Sequence, residues 1–198
     1  MLAGLLVTTS VAVASIAHYA TPGGNADTAF LSNPRALPEV QLVNSRSGGE
    51  FGKAQLLGRW TLLYSGYLNC PDLCPTTMSL FARLQRELAP NFAARGMPPP
   101  QFALLGIDPF RDTAADLAIY THGFDSAIIP LTGSLQALTR TTRALGFIPP
   151  PRQAQVKVAH SSAIALIGPT AKLCALFRYP HAASNIATAL QELRNEDC

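Results

Sequence analysis

Gly66-Tyr67-Leu68-Asn69-Cys70-Pro71-Asp72-Leu73-Cys74-Pro75 sets two cysteines four positions apart, where an apolar run gives way to a helical pattern. Upstream, Trp60 to Tyr67 carries few charges and many β-forming residues, which reads as a buried central strand. Downstream, Met78, Phe81, Leu84 and Leu88 recur at steps of three and four, one face of a helix. Pro75 suits the first turn of that helix, where a missing N–H costs nothing. A thiol pair at such a junction either carries electrons or holds a soft metal.

Outward from this stretch the pattern alternates. Val40 to Val43 is a short apolar run that Glu50 to Lys53 turns back as a hairpin. Phe102 to Ile107 reads as a second buried strand, ended by Asp108-Pro109. Thr113 with Asp116 three residues on predicts a capped helix with Leu117, Tyr120 and Phe124 inward. Ile128 to Leu131 is a short strand, and Ser134 caps a helix carrying Leu135, Leu138 and Leu145. An irregular loop runs from Pro149 to His160. Ala163 to Ile167 and Lys172 to Arg178 form a closing hairpin, and a last helix points Ile186, Leu190 and Leu193 inward. Such alternation predicts an α/β fold with helices on both faces of a mixed, mostly parallel central sheet. With the thiol pair after the first long strand, the expectation is a thioredoxin-like sandwich.

Bulk properties narrow the classes. The 198 residues suffice for one domain with a real core, and 48% hydrophobic against 14% charged residues is a globular composition. Net charge is +3, with no Lys/Arg run to track phosphates, so nucleic acid is not expected as a partner. Leu2 to Ala17 has no charged residue; it reads as a membrane anchor if extended to Ala20, against the competing readings of a cleaved signal peptide or a buried helix. No basic region precedes it, as a start placed downstream of the true one would give. The expected organisation is 1–20 anchor or signal, 21–37 a Gly/Asn/Pro-rich linker, and 38–198 the thioredoxin-like domain. Either of the first two readings puts the domain outside the cytoplasm.

Cys70 and Cys74 at i and i+4 lie on one side of a helical turn, with Cα atoms ~6 Å apart, close enough for a disulfide or for one shared ion. A helix N-terminus favours thiolate over thiol. The third group is His160. On a thioredoxin-like frame its loop lies opposite the thiol helix, and no proline occurs between Arg152 and Gly168. Two thiolates and an imidazole suit copper; zinc is chemically possible. Asp108 ends a parallel strand and is a candidate to orient a ligand or tune the thiolates, the alternative being that Asp108 and Asp112 cap a turn and the next helix. Cys174 reads as a buried core thiol and Cys198 as exposed, with a Cys174–Cys198 disulfide as the other option. His122 and His181 read as solvated.

The runs Gly66 to Thr77 (Gly-Tyr-x-x-Cys-Pro-Asp-x-Cys-Pro-Thr-Thr), Asp108 to Thr113 (Asp-Pro-x-Arg-Asp-Thr), Leu131-Thr132-Gly133 and His160-Ser161 together resemble the Sco/SenC family. The resemblance covers Pro38 to the C-terminus. It implies a thioredoxin-like copper protein tethered to the bacterial cytoplasmic membrane with its soluble domain in the periplasm, or less readily to the mitochondrial inner membrane. It implies assistance in assembling the binuclear copper centre of cytochrome c oxidase, by copper transfer, by thiol reduction or by both. Cys70, Cys74 and His160 would then be the ligands of Cu(I) or Cu(II), and the partner the copper-centre subunit or another copper acceptor. The alternative is an extracytoplasmic thiol–disulfide oxidoreductase in which Cys70 and Cys74 are catalytic without a metal. Asn69 stands where many members have histidine. Ala159 stands where they have aspartate, which removes a possible partner of His160.

Overall fold

The structure, a computed structural model, describes residues 28–39, 41–193 and 198. In chain order the strands and helices are β1 (Thr28–Ala36), β2 (Leu42–Asn44), β3 (Glu50–Phe51), α1 (Lys53–Leu56), β4 (Thr61–Gly66), α2 (Leu73–Ala94), β5 (Gln101–Gly106), α3 (Ala114–Phe124), β6 (Ile129–Thr132), α4 (Leu135–Leu145), β7 (Ile164–Ile167), β8 (Lys172–Phe177) and α5 (Ala183–Glu192). The strands form one sheet in the order β1-β8-β7-β4-β5-β6-β2-β3. The expectation of a mostly parallel sheet holds at its centre, where β4, β5 and β6 run parallel. Both flanks are antiparallel, because β7–β8 and β2–β3 are joined by short turns and β1 returns along β8.

β4 is buried at every position. Its alternation serves two cores: Leu62 and Tyr64 join Phe81, Leu84 and Leu88 of α2 and Ile186 and Leu190 of α5 on one face. Leu63 joins Leu105, Leu131, and Leu138 and Leu145 of α4 on the other. The expected caps form. Thr113 Oγ1 accepts the Asp116 N–H at 3.1 Å, Ser134 Oγ accepts the Ala137 N–H at 3.2 Å, and Gly146 closes α4 at φ 73°.

Two expectations are corrected. Thr28–Ala36, taken as linker, is an edge strand on β8; Pro34 is tolerated there because an outer strand need not donate every N–H, and a register shift falls between Phe30 and Arg35. Phe30 and Leu31 pack against the two cores. Cys174 is no free thiol and Cys198 is not exposed: they form a disulfide with Cα atoms 6.0 Å apart, at 4% and 8% exposure. Thr170 Oγ1 donates to the Cys198 carbonyl at 2.6 Å, and Gly168 leaves the room, since a Cβ there would lie 2.7 Å from Cys174 Sγ. Among the described residues no helix is long and apolar enough to cross a membrane. The apolar stretch 1–20 and linker residues 21–27 lie outside them.

Candidate metal centre

The C-terminal end of β4 and the N-terminus of α2 bring the two thiols together. Cys70 lies in the turn before the helix, its N–H on the Tyr67 carbonyl at 3.2 Å. Its sulfur accepts the Cys74 N–H at 3.4 Å and so satisfies one of the orphan amides of the first helical turn. Cys74, in that turn, is fully buried. Its sulfur occupies the space above Gly66, where a Cβ would lie 2.6 Å from it. Any side chain at Gly66 would displace the sulfur.

His160 arrives from the loop ahead of β7. Its Nε2 is 3.5 Å from Cys70 Sγ, and the ligand atoms of Cys70, Cys74 and His160 all lie within 4.8 Å of one another. Its Nδ1 faces the Ser161 carbonyl at 3.1 Å and the Tyr64 hydroxyl at 3.4 Å. A carbonyl only accepts, so this contact assigns the proton to Nδ1 and leaves the Nε2 lone pair turned to the sulfurs, the tautomer a metal needs. The Ser161 backbone thus supplies the partner that Ala159 does not. Tyr64 and Tyr67 stand edge-on to the imidazole, with ring centroids at 5.7 and 5.5 Å.

The electrostatics run against the expectation of a helix-activated thiolate at Cys74. Burial, and then the neighbouring Cys70, push its thiol up to about 12, despite a backbone hydrogen bond from Tyr67. Desolvation outweighs the helix dipole there. Tyr64 is raised as well, by burial first and then by the sulfurs, so its phenol stays protonated and able to donate.

The remaining candidates fall into place around this triad. Asp108 is buried and lies outside the donor group. Its Oδ2 accepts Arg111 at 2.7 Å, and the other arm of that guanidinium donates to the Ala154 carbonyl and, at 3.4 Å, to the Val156 carbonyl in the His160 loop. Asp112 does not cap α3, a task Thr113 performs. Its Oδ2 accepts the Leu68 N–H at 3.0 Å in the cysteine loop. One short segment after β5 therefore grips both the cysteine loop and the stretch ahead of His160. His122 is exposed as expected. His181 is not solvated: it packs edge-on against Tyr64 and Tyr179, with centroids at 6.4 and 5.8 Å, and burial lowers its pKa. Tyr64, Gly66, Arg111 and the Ser161 carbonyl are site groups that residue type and spacing do not mark. Gly66 stood inside the cysteine run, and Arg111 inside the aspartate run.

Fold and donor set together define a thioredoxin-like protein in which two free thiols and an imidazole converge closely enough to share one metal ion. The profile of the SCO1/SenC family matches residues 32–195, and the chain belongs to that family. It is 33% identical over 175 residues to a protein of Stutzerimonas stutzeri named for copper binding, covering 87% of this chain and 83% of that one. It is 35% identical over 121 residues to the mitochondrial SCO2 homolog of Bos taurus, covering 59% of this chain but only 44% of that protein. Among solved structures it superposes on Arabidopsis thaliana ScoI with copper bound at a TM-score of 0.67 and 23% identity, over 78% of this chain and 95% of that one. Apo Sco1 of Thermus thermophilus gives a TM-score of 0.69 at 23% identity, over 83% and 95%. At such identity these structures establish the fold.

Proposed function

We propose that this protein is a copper carrier: Cys70, Cys74 and His160 hold a copper ion as cargo and pass it to a copper acceptor, the copper centre of cytochrome c oxidase being the acceptor the family points to. The observation that carries this is the approach of His160 Nε2 to Cys70 Sγ at 3.5 Å, with all three ligand atoms within 4.8 Å. Two sulfurs and one nitrogen suit Cu(I), and three donors rather than four leave a position through which an acceptor's ligand enters before these let go. Tyr64 and Ser161 orient the imidazole, and Gly66 sets the depth of Cys74. Because Cys74 holds its proton at neutral pH, loading must expel it, so copper affinity rises with pH.

The buried Cys174–Cys198 disulfide suits an oxidising compartment. With the apolar 1–20 stretch it supports a domain tethered to the bacterial cytoplasmic membrane and facing the periplasm. The second reading, thiol–disulfide exchange, draws on the proximity of two free sulfurs, Cys70 and Cys74. The high pKa of Cys74 leaves Cys70 as the attacking group in that case. Anaerobic Cu(I) titration of the reduced protein separates the two. The carrier reading expects one equivalent bound, weakened about 10-fold or more in His160→Ala. Equal affinity in His160→Ala, with function lost only in the cysteine variants, would hand the site to redox chemistry.

A further inference from the structure

The third of the chain that carries His160 is one-sided in charge. Between Asp125 and Glu192 there is no Asp or Glu, while Arg140, Arg143, Arg152, Lys157, Lys172 and Arg178 all fall there. Three of these converge. Arg140 and Arg143, from α4, and Arg152, from the loop that follows, line a surface cleft of about 710 Å³ walled by Leu135 and Thr139. All three arginines are exposed, and among the described residues the ion pairs lie elsewhere, at Arg83–Glu87, Arg86–Asp125 and Arg111–Asp108. Like charges one helical turn apart, as at 140 and 143, cost the fold stability, and no described neighbour offsets that cost.

The loop that carries Arg152 leads on in sequence to His160. Arg152 sits on the stretch whose Ala154 and Val156 carbonyls Arg111 grips. Ahead of it, the Ile148 N–H donates to Ser161 Oγ at 2.9 Å, next to His160. On these same segments Phe110, Ile148 and Val156 are 44%, 45% and 48% exposed. Exposed apolar side chains and unpaired arginines on connected segments are the composition of a protein-docking face.

We propose that the Arg140–Arg143–Arg152 cleft binds an acidic segment of the protein that receives the copper, with Phe110, Ile148 and Val156 forming the apolar part of the same face. This rests on the carrier reading for the identity of the partner, not for the chemistry of the cleft. Guanidinium forks match carboxylates two bonds at a time, which makes three arginines in one groove a seat for Asp and Glu side chains. A lipid surface meets a broad outward basic face, whereas here the three arginines share one cleft with Leu135 and Thr139.

Two measurements test this on the full chain. In the first, a fluorescein-labelled oligoglutamate peptide is titrated by anisotropy. Binding that weakens with added salt, is lost in Arg140→Glu/Arg143→Glu/Arg152→Glu and survives in the charge-matched Lys53→Glu/Arg59→Glu/Arg83→Glu supports the cleft. Absence of binding, equal binding by both variants, equal loss in both, or capture of phosphatidylglycerol vesicles in place of the peptide overturns it. In the second, copper transfer is followed to the soluble copper-binding domain of the same organism's oxidase. The cleft variant is expected to slow the second-order rate about 10-fold at low salt and to release copper to a small chelator at the unaltered rate. An unchanged second-order rate overturns the docking face. Peptide binding without transfer by the natural chain would instead remove that acceptor from the carrier reading and leave the cleft standing.

Discussion

Gly66 governs how deeply the Cys74 sulfur sits, and its replacement is the most direct probe of the pocket. Gly66→Ala sets a methyl 2.6 Å from the sulfur and 3.2 Å from Leu104 Cδ1. The expected result is a loss of about 1–3 kcal/mol in urea unfolding, with weakened copper binding from the same displacement. Tyr64→Phe removes one of two contacts on His160 Nδ1 and keeps the ring; copper affinity should fall, by less than in His160→Ala, because the Ser161 carbonyl still fixes the tautomer. Asp112 offers a test of sign. Burial raises its carboxyl from 3.8 to about 6, so between those values the folded protein holds a proton that the unfolded chain has released. Its contribution to stability is therefore complete below the lower value and lost as pH rises through the upper one. Urea midpoints of the wild type and Asp112→Asn, compared at about pH 4 and about pH 7, should show the natural protein losing more stability on going up. Asn keeps an oxygen for the Leu68 N–H and has no proton to lose.

At the scale of elements, the segment from Asp108 to Asp112 acts as a brace between the cysteine loop and the histidine loop. Arg111→Lys keeps a cation for Asp108 but gives up the fork that spans to the Ala154 and Val156 carbonyls. Faster amide hydrogen exchange across 152–160 is expected, together with copper affinity about 10-fold lower, while α2 exchange stays as it was. Unaltered exchange in that loop would show that the brace does not hold it. The main helices and strands were legible because their apolar residues repeat at 3.6 or form unbroken runs, as in Met78-Phe81-Leu84-Leu88 and Phe102–Ile107. β1 was not, because Asn, Pro and Arg dilute it and only Phe30 and Leu31 mark its packing. The thiol pair and His160 were legible through residue type and place in the chain order. The braces on them were not, since they run through backbone groups, the Leu68 N–H and the carbonyls of Ala154, Val156 and Ser161, which leave no mark on composition.

At the scale of the molecule, the Cys174–Cys198 disulfide ties residue 198 to the β7–β8 hairpin. It closes a loop with a sequence separation of 24, for which chain entropy predicts about 3 kcal/mol of stabilisation. Cys174→Ser/Cys198→Ser should unfold at lower urea by that amount and keep its copper stoichiometry. Loss of the copper site would show the two ends of the sheet to be coupled. Sequence left this bridge as one of two options, because pairing depends on where Cys198 comes to rest. Two glycines mark where the sulfurs lie: Gly66, at the far end of β4, seats Cys74, and Gly168, just past the Ile167 that pairs with Thr61, seats Cys174. The six residues of β4 span about 20 Å between them. The four sulfurs consequently occupy opposite poles of the sheet and have no contact through which to shuffle. An alkylating reagent applied to the unfolded, unreduced chain should tag two cysteines and spare two, and a reductant serving the working pair need never disturb the staple.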